Sequence, residues 1–476
     1  MNDPIPTASG ALPVHEFPDR LGAITVRELR AGLLGRDMVW LLIGVQVVLA
    51  IAGIYALQVS SKNPSAAHGT MQFAVWSCAL IGLAVLSPLR ALRALHGDRE
   101  SRLLELLQLT PLSAGAIVFG KWVSLAVQAA LFLVSLLPFF VLRYFLGGAD
   151  LVGDANILLI LFGFSVVAQS VFLLVSTFPR FMRGLALAGL FLILFSLLFS
   201  GRAMSGFGVF DALAHPFRNE GSDAYWILLY LVAQFVCVIG GSLSLAAQMI
   251  AAPAENYVGR TRLWFAGWVA VFVCLIRTTR MPPEWGEMAV IALVGVGIAA
   301  VLELGVERRL LPAHRPRRLL GRPFAWLLLP GWQSALLFHS SLVLALTVVA
   351  YALDGFQQAL LVIPSAVALV LLPRAILVFL PWHWFGQRRL APYALQLAFA
   401  LLALGVAAGC GATSAAPGWP QFLPPLGFWN GLAWAKSGDW SPLPGACWAG
   451  VLLAVLIARA LIELDAAFDE KAAKRR

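Results

Sequence analysis

The chain has 476 residues, 60% of them hydrophobic and only 12% charged. Soluble domains carry about 25% charged residues; half that share cannot coat a water-facing surface, so a soluble globular protein is excluded and much of the surface must face lipid. The net charge of +10 does not point to nucleic acid, because the Lys and Arg residues sit in short loops between apolar runs and form no single basic face.

Residues 1–20 are polar, contain proline and lack the apolar core of a secretory leader, so the first long apolar run reads as a retained span. Ahead of that run, residues 20–37 place Leu21, Ile24, Leu29 and Leu33 near one helical face and Arg27, Arg30 and Arg36 mostly elsewhere. This predicts a basic amphipathic helix lying in the membrane interface. A span needs about 20 apolar residues. Twelve runs qualify, roughly 38–58, 71–92, 117–142, 154–178, 184–200, 225–250, 263–279, 288–306, 325–351, 358–380, 391–411 and 445–462. Threading them with the N-terminus inside puts 27 of the 34 Lys and Arg residues on the inner side. Basic residues mark the cytoplasmic face. The expected fold is therefore an all-α polytopic membrane protein of about 12 transmembrane helices, with N- and C-termini cytoplasmic, in the inner membrane of the cell.

The outer loops are short except 201–224 and 412–444; the second is rich in Pro and Trp and suits the outer interface. The cysteines, Cys78, Cys237, Cys274, Cys410 and Cys447, form no disulfide framework. Cys410 and Cys447 flank one outer loop, where an oxidising compartment would allow them to pair. Arg143 and Arg277 fall near outer helix ends and are expected to snorkel to headgroups.

The stretch with the clearest organisation follows the second span. It reads Asp98-Arg99-Glu100-Ser101-Arg102-Leu103-Leu104-Glu105-Leu106-Leu107-Gln108-Leu109-Thr110-Pro111-Leu112-Ser113, with Gly120-Lys121 opening the third span. The spacing predicts a charged amphipathic helix of about 10–12 residues, stopped at Thr110 because proline disfavours helix at the residue before it. Ser113 is placed to cap the next helix. Glu100 and Glu105 can pair with a basic partner surface, and Leu104 and Leu107 can enter an apolar groove.

These residues resemble the permease subunits of the ABC-2 exporter family. In that family the segment after the second span reads approximately Glu-Arg-Glu-x-Gly-Thr-Leu-Glu-x-Leu-x-x-Thr-Pro-Leu-Ser, followed by a Gly-Lys pair. Arg99, Glu100, Leu104, Glu105, Leu107, Thr110, Pro111, Leu112, Ser113, Gly120 and Lys121 match it. Asp98, Arg102 and Leu103 depart from it. The likeness extends loosely over residues 20–262, through Pro138 and through Pro253-Ala254-Glu255-Asn256.

The resemblance implies a tail and interfacial helix over 1–37 and a six-span permease unit over 38–262, with a coupling helix at about 98–112. Residues 263–476 are then an added region of about six spans and unknown role. It implies an ABC ATPase subunit as partner, with ATP and Mg bound there and no cofactor on this chain. It also implies a second permease copy or a sister permease, alongside membrane lipids and no nucleic acid.

Other signals are weaker. Gly115 to Lys121 has phosphate-loop spacing, but Trp122 stands where the magnesium-binding Ser or Thr belongs. The 7 histidines are scattered, with no metal-ligand spacing, and no acidic relay lies at mid-membrane depth. The loop from Glu307 to Arg322 is basic and broken by two prolines, so it does not repeat the coupling segment. The expected role is a transport subunit and not an enzyme. The competing roles are a membrane-embedded lipid- or glycan-modifying enzyme and a non-transporting membrane scaffold.

Overall fold

The computed structural model describes residues 23–33, 35–100, 113–146, 151–178, 183–184, 222–251, 257–279, 331–352, 451 and 454–459. Among them secondary structure is helical throughout and no strand occurs. Among the described residues five stretches are long and apolar enough to cross a membrane: Met38–Ser60, Pro64–Leu95, Ala114–Phe145, Gly153–Val175 and Val232–Ile250. They coincide with the first four and the sixth of the runs read from the sequence. The candidate spans at 288–306, 358–380 and 391–411, and most of those at 184–200 and 445–462, lie outside the described residues, as do Cys410 and Cys447 and the Arg277 side chain. The chain divides into two compact units, 1–176 and 177–476.

Unit 1 begins with helix α1 (Ala23–Leu33), followed by α2 (Arg36–Ser60). The 25 residues of α2 reach about 37 Å at 1.5 Å per residue. Asn63 stops the turn after it: its side chain accepts from the Ala66 N–H at 3.2 Å, and Pro64 takes the first helical position, where a missing N–H is harmless. Helix α3 (Pro64–Ala79) then passes through a π-helical segment, Leu80–Leu86, into α4 (Ser87–Glu100). Helices α5 (Ala114–Phe145) and α6 (Leu151–Val175) complete the unit.

The core of unit 1 is apolar and tightly seated. Leu49, Met71, Val75, Leu83, Leu136 and Leu173 are fully buried, and Trp76 meets Phe140 edge-on at 5.2 Å between centroids. Gly82 lies flat on the Phe132 ring, where any Cβ would collide. Gln46 of α2 donates to the Ser135 carbonyl of α5 at 2.8 Å. In contrast, Trp40, Ile43, Val47, Ile51 and Ile54 of α2 are exposed at helical spacing, a stripe suited to lipid.

Unit 2 contains α7 (Ser222–Ile250), α8 (Tyr257–Thr279) and α9 (Trp332–Ala352). Small residues let α7 and α8 approach: Gly240 receives the Trp264 ring, whose indole N–H donates to the Cys237 carbonyl at 3.1 Å. Arg262, expected from the sequence in an inner loop, is instead part of α8 and 1% exposed. Its guanidinium donates to Ser334 Oγ at 2.6 Å and lies 5.7 Å from the centre of the Phe338 ring. A helix that starts six residues before the anticipated span draws the charge into the packing between α8 and α9.

Candidate functional site

The candidate site is the end of unit 1 where α4 stops and α5 starts, on either side of residues 101–112. Leu104, Glu105, Leu107, Thr110, Pro111 and Leu112 lie outside the described residues. Arg99 and Glu100 end α4 in helical backbone. Ser113 caps α5 as anticipated: its backbone is extended (φ −69°, ψ 147°), and its hydroxyl oxygen accepts from the Ala116 N–H at 3.3 Å. Gly120 and Lys121 follow in the second turn, both buried.

Lys121 is turned inward. It is 2% exposed, and its ammonium lies 3.2 Å from the Glu28 carboxylate of α1. Arg27 touches the same carboxylate at 2.6 Å from a more exposed position. Burial pushes the Glu28 carboxyl up, but the charges and hydrogen bonds of Lys121 and Arg27 outweigh it and hold the group below its ordinary value.

The contact continues along α1. Thr25 is buried and Glu28 and Gly32 are partly buried, three positions on one helical face. Gly32 lies directly against the Gln128 side chain of α5, leaving no room for a Cβ. Gln128, in turn, donates to Ser124 Oγ at 3.2 Å, and its own buried carbonyl oxygen has no partner. The face turned to the bundle is thus small and polar. Leu29 and Leu33, read from the sequence as the embedded face, are half-buried and free to lie against lipid.

A third element joins from α4. Arg90 reaches the Gly32 carbonyl at 3.4 Å and Met38 Sδ at 2.8 Å, so it binds both α1 and the first turn of α2. Helix α1 is therefore a strap. It is fixed to α4 before residues 101–112 and to α5 after them.

At the far end of α5 a second buried cation behaves differently from the sequence expectation. Arg143 does not snorkel; it is 4% exposed and donates to Asp154 of α6 at 2.6 Å. The few residues separating Phe145 from Leu151 keep that carboxylate within reach, which removes the need for headgroups.

Sequence reading missed Glu28, Gly32, Arg90 and Gln128. The signal available was a lone carboxylate between two arginines on an otherwise basic helix, a poor choice for an anionic surface. Among the described residues no group of three or more His, Cys, Asp or Glu side chains could hold a metal ion. No family model, no curated protein and no solved structure matches the chain.

Proposed function

We propose that the chain is the transmembrane permease subunit of an ATP-driven ABC-2-like exporter in the inner membrane, coupling a separate ATPase to substrate movement. The observation that carries the reading is the strap. A short segment between two long apolar helices is framed by polar contacts to α1 on both sides, through Arg90 and through Lys121. A push on residues 98–112 from a partner would reach α4, α5, α1 and α2 together. Such an arrangement suits a mechanical input, with Glu100, Leu104, Glu105 and Leu107 offered to the partner and Lys121 supporting from within. Nucleotide and magnesium belong to the partner in this reading, and a second permease copy or a sister permease supplies the other half. The region after residue 262 is an addition to the six-span unit.

The test is isolation of the tagged full-length chain from its native membranes with whatever nucleotide-hydrolysing subunit accompanies it. The expected outcome is a vanadate-sensitive ATPase activity that is lost when Glu100 and Glu105 are both changed to Lys. Co-isolation that survives the double reversal, with activity unchanged, would remove the coupling role from this segment.

A further inference from the structure

The run from Pro64 to Glu100 does not keep one helical register. Over Leu80–Leu86 the turns are π-helical, and the Ser87 N–H bonds to the Gly82 carbonyl, five residues back. Such a turn holds one residue more than the α-helix around it. Pro88 follows at once and has no N–H to offer. Beyond it α4 is regular: Pro88, Ala91, Leu92 and Leu95 are buried at helical spacing, while Arg93 and Gly97 are exposed.

One side chain grips the wide turn. Gln169 of α6 is 0% exposed; its amide nitrogen donates to Ser87 Oγ at 2.5 Å and to Ser165 Oγ at 3.4 Å. Its amide oxygen is buried with no partner. A half-satisfied buried amide is a weak clamp, because the desolvation of the free oxygen offsets the bonds that are made. Gly82, pressed on Phe132, lets the wide turn fit against α5.

We infer that Leu80–Leu86 is a register switch in the second helical run, latched by the Gln169 amide on Ser87. When the π-turn tightens to α, the surplus residue is fed into α4. Every residue of α4 from Ser87 onward then advances by one position, a turn of about 100° and a shift of about 1.5 Å. Ser87 leaves Gln169, Ala91 takes the buried place of Leu92, and Leu92 takes the exposed place of Arg93. Arg90 leaves Gly32 and Met38 in the same movement, which slackens the α1 strap. The switch goes beyond the exporter reading and its test does not depend on it.

The test uses the full-length chain in membranes, with its five cysteines replaced by alanine and single cysteines placed at Ala91, Leu92 or Arg93. The probe is N-ethylmaleimide. Gln169→Leu, or Ser87→Ala, is expected to raise the reaction rate at Leu92→Cys about tenfold while Ala91→Cys stays protected, since a thiol reacts only where it is accessible. Deleting Val85 removes the surplus residue and leaves α4 in place. The deletion is expected to be tolerated and, combined with Gln169→Leu, to return Leu92→Cys to its original rate. The switch is overturned if Leu92→Cys does not respond to loss of the latch, or if Ala91→Cys opens equally, as in general loosening. It is also overturned if the response survives the Val85 deletion, or if the deletion abolishes membrane insertion.

Discussion

Helix α5 carries a buried cation near each end, 22 residues and about 33 Å apart, and the two are solved in different ways. Arg143 pairs with Asp154, only 11 residues away, so the bond joins neighbours that the chain already holds together. Lys121 pairs with Glu28, which lies on a helix preceding the first span. The first pair is a staple that fixes the angle of one hairpin. The second ties α5, just after residues 101–112, to a helix about 90 residues earlier that also holds α4 through Arg90, so its loss should change how the ends of α4 and α5 respond to one another. Burial alone does not separate the two, because both cations are nearly inaccessible. The sequence distance of the partner does.

The sharpest break in this comparison is Asp154→Ala. Removing one member of a buried pair typically costs about 3–5 kcal/mol, and Arg143 already has its Nε buried without a partner. The expected result is a large drop in thermal unfolding temperature in detergent, with α1 keeping its wild-type protection from protease. Early cleavage of α1 in this variant would mean that the two ends of α5 are not independent.

Glu28→Lys tests the other end and should have a smaller effect on global stability, because Glu28 is partly exposed and α1 is peripheral. The repulsion is expected to undock α1, measured as accelerated proteolysis between α1 and α2, at about 1–3 kcal/mol of local stability. Exchanging the charges, Glu28→Lys with Lys121→Glu, should recover most of the protection. A swap no better than the single variant would show that Lys121 holds α1 by packing and not by charge.

What the sequence made legible follows from what a periodic pattern can carry. Apolar length announces α2, the Pro64–Leu95 run, α5, α6 and α7, because a membrane span is a property of one segment. The Ser113 cap was readable for the same reason: serine, a following helix and a preceding proline are all local. Partnerships were not. Arg143 and Arg262 read from the sequence as residues at the edges of spans, and the structure uses both inside the protein. Asp154 is near enough in sequence for its pairing with Arg143 to be anticipated from their separation of 11 residues. Glu28 with Lys121, or Gln169 with Ser87, could not be, because nothing in either segment names the other. The π-turn was hidden for a further reason: Leu80–Leu86 is uniformly apolar, so a surplus residue leaves no irregularity in a pattern that has no polar face.

The smallest expected effect concerns pH, and it separates the two ends of α5 by chemistry. Glu28 has a folded value below its ordinary one. Its pairing therefore contributes fully above the unfolded value of about 4.3 and is lost only as pH falls through the lower, folded value. Subtracting the Glu28→Gln variant from the wild type isolates this contribution, about 1–2 kcal/mol for a partly exposed charge-assisted bond. The difference in α1 protection should be flat from neutral pH down to the ordinary glutamate range and should shrink below it. A difference that fades between pH 6 and 7 would mean that a group other than this carboxylate controls the strap. The Lys121 contact would then be a consequence of α1 docking and not its cause.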